Sequence, residues 1–105
     1  MGATLTIPQK IMATIKILQL SNTPENRGLM FANYSFLQSC GVEVEISRYN
    51  VVFDGEMEVE DLDAIYCKLQ SPKMDGYSGR SLSVSDIVEM DNAMYYVDNY
   101  GFVKL

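Results

Sequence analysis

The chain has 105 residues, 48% of them hydrophobic and 21% charged, enough for one domain with one modest core and too few for two. Eight basic residues against fourteen acids give a net charge of −6, which repels a phosphate backbone and argues against nucleic acid as a direct ligand. There is no histidine, so Ser-His-Asp triads, Cys-His dyads and histidine-based zinc sites are excluded within the chain.

Residues 1–10, "MGATLTIPQK", contain Pro8 and little periodicity and read as a tail or edge segment ahead of a domain spanning residues 11–105. Gly2 and Thr6 satisfy an N-terminal acylation pattern, but no polybasic second signal follows and the match reads as coincidence. From Ile11 to Leu20, "IMATIKILQL" is rich in β-branched residues in near alternation, with Ile15, Ile17 and Gln19 on one side and Thr14, Lys16 and Leu18 on the other. A strand is expected there. "SNTPENRG" follows as a turn in which Thr23 before Pro24 suits a short helical turn, and the spacing of Tyr34, Phe36, Leu37 and Cys40, closed by Gly41, predicts a helix over about Asn33 to Cys40.

Val42, Val44 and Ile46 alternate with Glu43, Glu45 and Ser47, the pattern of a half-buried strand whose register flips near Asn50. Asp54-Gly55 then suits a tight turn. A second helix is expected from about Glu60 to Leu69, since Leu62, Ile65, Tyr66 and Leu69 fall on one face, and Glu58, Glu60, Asp61 and Asp63 would crowd its first turn, where the helix dipole favours negative charge. "QSPKMDGYSG" reads as a polar connection, and "AMYYVDNYGFVKL" as a hairpin of Met94 to Val97 and Phe102 to Leu105 around a turn at Asp98 to Gly101. Short connections favour antiparallel pairing. The fold class expected is a small single α+β domain, mainly antiparallel sheet with two short helices and a C-terminal β-hairpin.

The chemistry-bearing residues are few. Cys40 and Cys67 are far apart, have no CxxC spacing, and read as two free, buried thiols of a reducing cytosol. No P-loop, dinucleotide fingerprint or calcium loop is present, no segment nears the roughly 20 apolar residues that cross a bilayer, and no export signal opens the chain. Neither cofactor, metal nor membrane is expected, and the location expected is cytoplasmic. A Ser-Lys catalyst from Ser81, Ser83 or Ser85 would need a poised lysine, yet Lys73 and Lys104 lie in a polar loop and near the terminus. Asp86 with Asp98 is the carboxylate pair that a small enzyme would use. The structural alternative is that Leu82, Val84 and Ile87 or Val88 fill the core while a serine or Asp86 accepts backbone N–H groups in a turn. A cap of that kind makes Asp86→Ala cost about 0.5 to 2 kcal/mol.

"GRSLSVSDIVEM" and "YYVDNYGFVKL" together resemble the C-terminal signature of the YodL-like domain family. "IKILQL", "RYNVVFDGEM" and "LDAIYCKLQ" resemble its upstream segments, so that the likeness runs from about Thr14 to Leu105. Its motif positions here are Gly79, Ser81, Leu82, Ser83, Val84, Ser85, Asp86, Tyr96, Asp98, Gly101 and Phe102. Two departures stand out: Leu69, Gln70, Ser71 and Pro72 replace the usual residues after the helix, and Arg80 stands where a histidine is common. The resemblance implies neither enzymatic activity nor a cofactor, and it implies an accessory domain of bacterial conjugative elements or phages. The leading expectation is therefore a non-catalytic module that binds another protein, through an acidic surface of Glu56, Glu58, Glu60 and Asp61 with Tyr77, Tyr95 and Tyr100. The alternatives are an acidic anti-restriction protein that mimics DNA, and a small enzyme using Asp86 and Asp98.

Overall fold

The computed structural model describes residues 11–59, 61–70, 76–99 and 101–105. The N-terminal segment 1–10, residues 71–75 of the polar connection including Lys73, and the positions of Glu60 and Tyr100 lie outside the described residues. Strand β1 (Ile11–Leu20) is followed by a 3-10 turn over Pro24–Asn26, helix α1 (Tyr34–Ser39), a second 3-10 turn over Ile46–Arg48, strand β2 (Tyr49–Val59) and helix α2 (Leu62–Lys68). Strands β3 (Ile87–Met90), β4 (Ala93–Asp98) and β5 (Gly101–Lys104) complete the chain. They form one antiparallel sheet in the order β2-β1-β3-β4-β5, so the first strand lies inside the sheet and the C-terminal hairpin sits at one side, as the α+β expectation requires.

Alternation along β1 divides the core in two. Ala13, Ile15 and Ile17 pack with Phe53, Met57, Val88 and Val97 under Ile65 and Leu69 of α2 and Leu82. Leu18 packs with Ile87 and Tyr96 under Leu37 of α1. Each fully buried aliphatic side chain contributes about 1.5 to 3 kcal/mol, and strands buried on both faces cannot slip register without exposing them. Tyr96 is held further by an edge-on contact with Tyr34, 5.5 Å between ring centroids, and its hydroxyl donates to the Ala32 carbonyl.

Both helices have side-chain caps. Asn33 Oδ1 accepts the Phe36 amide at 2.8 Å and Asp61 Oδ1 accepts the Ala64 amide at 2.8 Å, each relieving an orphan donor of a first turn. Gly41 follows α1 at φ 69°, the left-handed residue expected there. The β3–β4 turn places Asp91 and Asn92 at φ 50° and 72°, the two positive values that a two-residue hairpin loop requires.

Four expectations are corrected. Val42 to Glu45 form no strand: Val42 and Val44 do turn to the core, but no neighbouring strand pairs with them, and Ile46 opens a 3-10 turn instead. The strand begins only at Tyr49, and its change of register is a bulge at Val52, between the pairs Ile17–Phe53 and Leu18–Val51. Asp54-Gly55 is no turn, since the two residues lie inside β2 opposite Lys16 and Ile15. Gly55 is used for packing: a Cβ there would stand 3.2 Å from the Phe53 ring. Of the acids assigned to the start of α2, Asp61 and Asp63 are there, whereas Glu58 lies on β2 with Asp54 and Glu56, all three exposed at alternate positions. Both cysteines are exposed rather than buried, because Cys40 ends α1 and Cys67 lies on the outer side of α2.

Candidate functional site

The segment Gly79 to Asp86 runs between α2 and β3 and wraps its carboxylate in donors. Asp86 is wholly buried. Its Oδ1 accepts Arg80 Nη2 at 2.9 Å, and its Oδ2 accepts Arg80 Nη1 at 3.0 Å, Gln19 Nε2 at 3.0 Å and the Ser83 amide at 2.8 Å. The Arg80 fork is bidentate, the geometry in which an ion pair is strongest. Burial pushes the Asp86 carboxyl above its ordinary value, against the pull of Arg80, the Ser83 amide and Gln19.

Gln19 joins this loop to the sheet. Lying on the same side of β1 as Ile15 and Ile17, it accepts the Arg80 amide at 3.1 Å through Oε1 and donates through Nε2 to the Arg80 carbonyl at 3.0 Å as well as to Asp86. Tyr77 adds a hydroxyl donor to the same carbonyl at 2.6 Å, and its ring stacks on Phe53. Gly79 is needed because a Cβ there would collide with Gln19 Oε1 and stand 2.9 Å from Val52 Cβ, at the bulge. The bulge carbonyl, Val52 O, in turn accepts the Ser78 amide at 2.9 Å.

The serines of the motif have equally local partners. Ser81 Oγ donates to the Gln70 carbonyl at 2.7 Å, while Gln70 Nε2 donates to the Leu82 carbonyl and the Leu82 amide to the Leu69 carbonyl, both at 3.0 Å. The bonds to the Leu69 and Gln70 carbonyls use groups that the end of α2 leaves unpaired. Ser83 Oγ donates to the Ser81 carbonyl at 3.2 Å. Ser85 is buried at φ 88°, a strained value for a residue with a side chain, and is held from three sides. Its Oγ accepts the Phe31 amide, its N–H donates to Val97 O, and its carbonyl accepts the Tyr49 hydroxyl. Leu82 is buried and Val84 half-buried, and both Ile87 and Val88 enter the core.

Phe31 covers this arrangement from the α1 side. It is 57% exposed and sits at φ 65°, with Arg80 Cζ 5.1 Å from its ring centroid. The aromatic face stabilises the guanidinium and screens one side of it from water.

Asp98 is not part of the cluster. Its Oδ1 accepts the Tyr34 amide at the start of α1, and it lines a cavity of about 200 Å³ with Asp63, Tyr66, Val84 and Phe102. The structure therefore does not bring Asp86 and Asp98 into one site. Gly101, at φ 107°, makes the β4–β5 turn, and Phe102 meets Tyr66 edge-on. Among the described residues no group of three Cys, Asp or Glu side chains is placed to hold a metal ion, and no helix is long and apolar enough to cross a membrane.

The expected acidic and tyrosine surface is divided. Glu56 and Glu58 are on β2, Asp61 caps α2, Tyr95 is half-buried on β4, and Tyr77 is half-buried within the Gln19–Arg80 network instead of presenting its hydroxyl to a partner. Gln19, Phe31 and Tyr49 are members of the site that the motif does not contain. A polar residue in phase with Ile15 and Ile17 was the signal for Gln19, whereas nothing local marks Phe31.

Burial pushes the Tyr77 and Tyr96 hydroxyls up to about 12, and that of Tyr49 higher still, with the Asp86 charge adding to each and, for Tyr96, Asp98 adding more. An unfolded tyrosine ionises near 10, so these three contribute stability that is complete below pH 10 and is lost as pH rises from there through the folded values. An alkaline titration followed at the tyrosinate absorbance should show a late phase coincident with loss of near-ultraviolet circular dichroism. The late phase should shrink in Tyr77→Phe. Ionisation of all the tyrosines near pH 10 with the fold intact would refute this.

Fold and site together define a small antiparallel α+β domain whose C-terminal signature is folded into an internal ionic clasp. The chain matches the model of the YodL-like domain over residues 14–105, nearly its whole length, and it belongs to that family. Searches of the curated proteins and of the solved structures found no match.

Proposed function

We propose that this YodL-like domain is a non-catalytic accessory module that acts by binding another protein in the bacterial cytoplasm, in the setting of a conjugative element or phage. The observation that carries this reading is the division of labour between motif and surface. Asp86, Arg80, Gln19 and the motif serines spend their polar atoms on one another and on the backbone, while Phe31, Phe36, Ile46, Val51 and Leu105 remain 40% exposed or more. Large exposed apolar groups are a feature of interaction surfaces, where they supply anchors. Affinity capture from host lysate, with an unrelated acidic domain of equal charge as the control, should enrich a reproducible protein partner. Enrichment no greater than the control would count against the proposal.

One observation favours the DNA-mimic alternative. Asp54, Glu56 and Glu58 lie on β2 and not in the first turn of α2, in a row along an edge strand, about 7 Å apart. Lys16, the cross-strand partner of both Asp54 and Glu89, dilutes that row. Protection of phage DNA from restriction in cells expressing the protein would support this alternative, and unchanged restriction would end it.

A further inference from the structure

We infer that the groove between α1 and the β4–β5 side of the sheet receives an extended segment of a partner protein in which apolar residues alternate with lysine or arginine. This rests on the interaction reading above and says where and by what chemistry the partner binds. The groove has a volume of about 620 Å³ and is walled by Tyr34, Val42, Val44, Ile46, Met94 and Leu105. Ile46 and Leu105 are 40% and 44% exposed, so apolar area remains for a ligand to cover.

One wall is a segment that no strand pairs with, ending at Glu45 in extended backbone, φ −113° and ψ 115°. Val42 to Glu45 run without regular secondary structure, Val42 and Val44 turn inward and Glu43 and Glu45 face solvent. The Val42 amide donates to Leu37 O and Glu45 O accepts the Arg48 amide, but among the described residues the amides and carbonyls of Glu43 and Val44 make no hydrogen bond. An extended peptide satisfies such groups by main-chain pairing and seats alternate side chains in the groove.

Charge selects the residues that point away from the groove. Glu43 stands at the rim, Glu45 beside it is paired with Arg48 at 3.6 Å, which also donates to Asn26 Oδ1 at 3.1 Å, and the chain as a whole carries −6. Lys104 pairs with Tyr95 and so belongs to the opposite sheet face from Met94. A basic segment is attracted to this rim. A second copy of the chain, acidic itself, is repelled.

A phage-displayed library of random twelve-residue peptides, selected on the intact domain, tests this. Selected sequences should show apolar residues at every second position with Lys or Arg between them. Ile46→Ser, which removes an exposed side chain, should weaken their binding about tenfold with the melting temperature unchanged. Glu43→Lys should weaken it further at low salt than at high salt. Selection of acidic or helix-period sequences, equal binding to both variants, or a dimer in sedimentation that Ile46→Ser dissociates would overturn the inference. If capture from lysate recovers the same partner with wild type and Ile46→Ser, the interaction reading stands and the groove is the wrong surface.

Discussion

Asp86→Ala is expected to destabilise the domain by about 3 kcal/mol or more, beyond the 0.5 to 2 kcal/mol of a lost cap. The carboxylate is wholly buried and serves four hydrogen bonds, two from Arg80 and one each from Gln19 and the Ser83 amide. Its removal orphans the Ser83 amide, costs Gln19 Nε2 one of its acceptors and leaves a guanidinium without its counter-charge. Arg80 keeps about a third of its side chain in water, which limits the penalty on that side. Arg80→Met leaves a buried carboxylate facing only two neutral donors and should raise the Asp86 midpoint further. Urea unfolding of the two single variants and the double variant measures the coupling. A loss below 1 kcal/mol for Asp86→Ala, or additivity of the two changes, would show that the clasp is not a unit.

Gly79→Ala is expected to cost about 1 to 3 kcal/mol although it adds one methyl group. The added Cβ has backbone-anchored Val52 on one side and Gln19 Oε1 on the other. Relief by moving Gln19 breaks its bond to the Arg80 amide and disturbs its donation to Asp86, so the cost is transmitted to the ion pair. The same change at Gly28, where an added Cβ meets nothing within 4 Å, is the control and should be close to neutral. Equal melting temperatures for the two variants would refute the steric argument.

Much of the fold was legible because periodicity is local. β1, both helices, Gly41 after α1 and the terminal hairpin all follow from spacing and turn chemistry within a dozen residues. Two of the failures share a cause, which is that pairing is not local. Val42 to Ile46 has the alternation of a strand and finds no partner, whereas Asp54-Gly55 has the composition of a turn and is carried through a strand by its pairing with β1 and by the Phe53 ring. For the motif, the expectation that Asp86 accepts a backbone N–H in a turn is met by the Ser83 amide. The ion pair was not readable. Arg80 reads as a departure from the family pattern, and its role depends on Gln19, sixty-one residues earlier, and on Phe31.

The place of β1 within the sheet has a consequence in time. Ile15 to Leu18 pair with Ile87 to Met90, so β1 must wait for a strand made much later, and the closure of that long loop carries an entropic cost before any contact repays it. Domains dominated by such distant pairings fold slowly. During synthesis β1 and β2 can already associate as a two-stranded ribbon, which is too little for independent stability, and its open side is covered only when the Gly79–Met90 segment leaves the ribosome. A ribosome stalled before that segment therefore presents a nascent chain whose β1 has an unpaired edge, a substrate for chaperones and proteases.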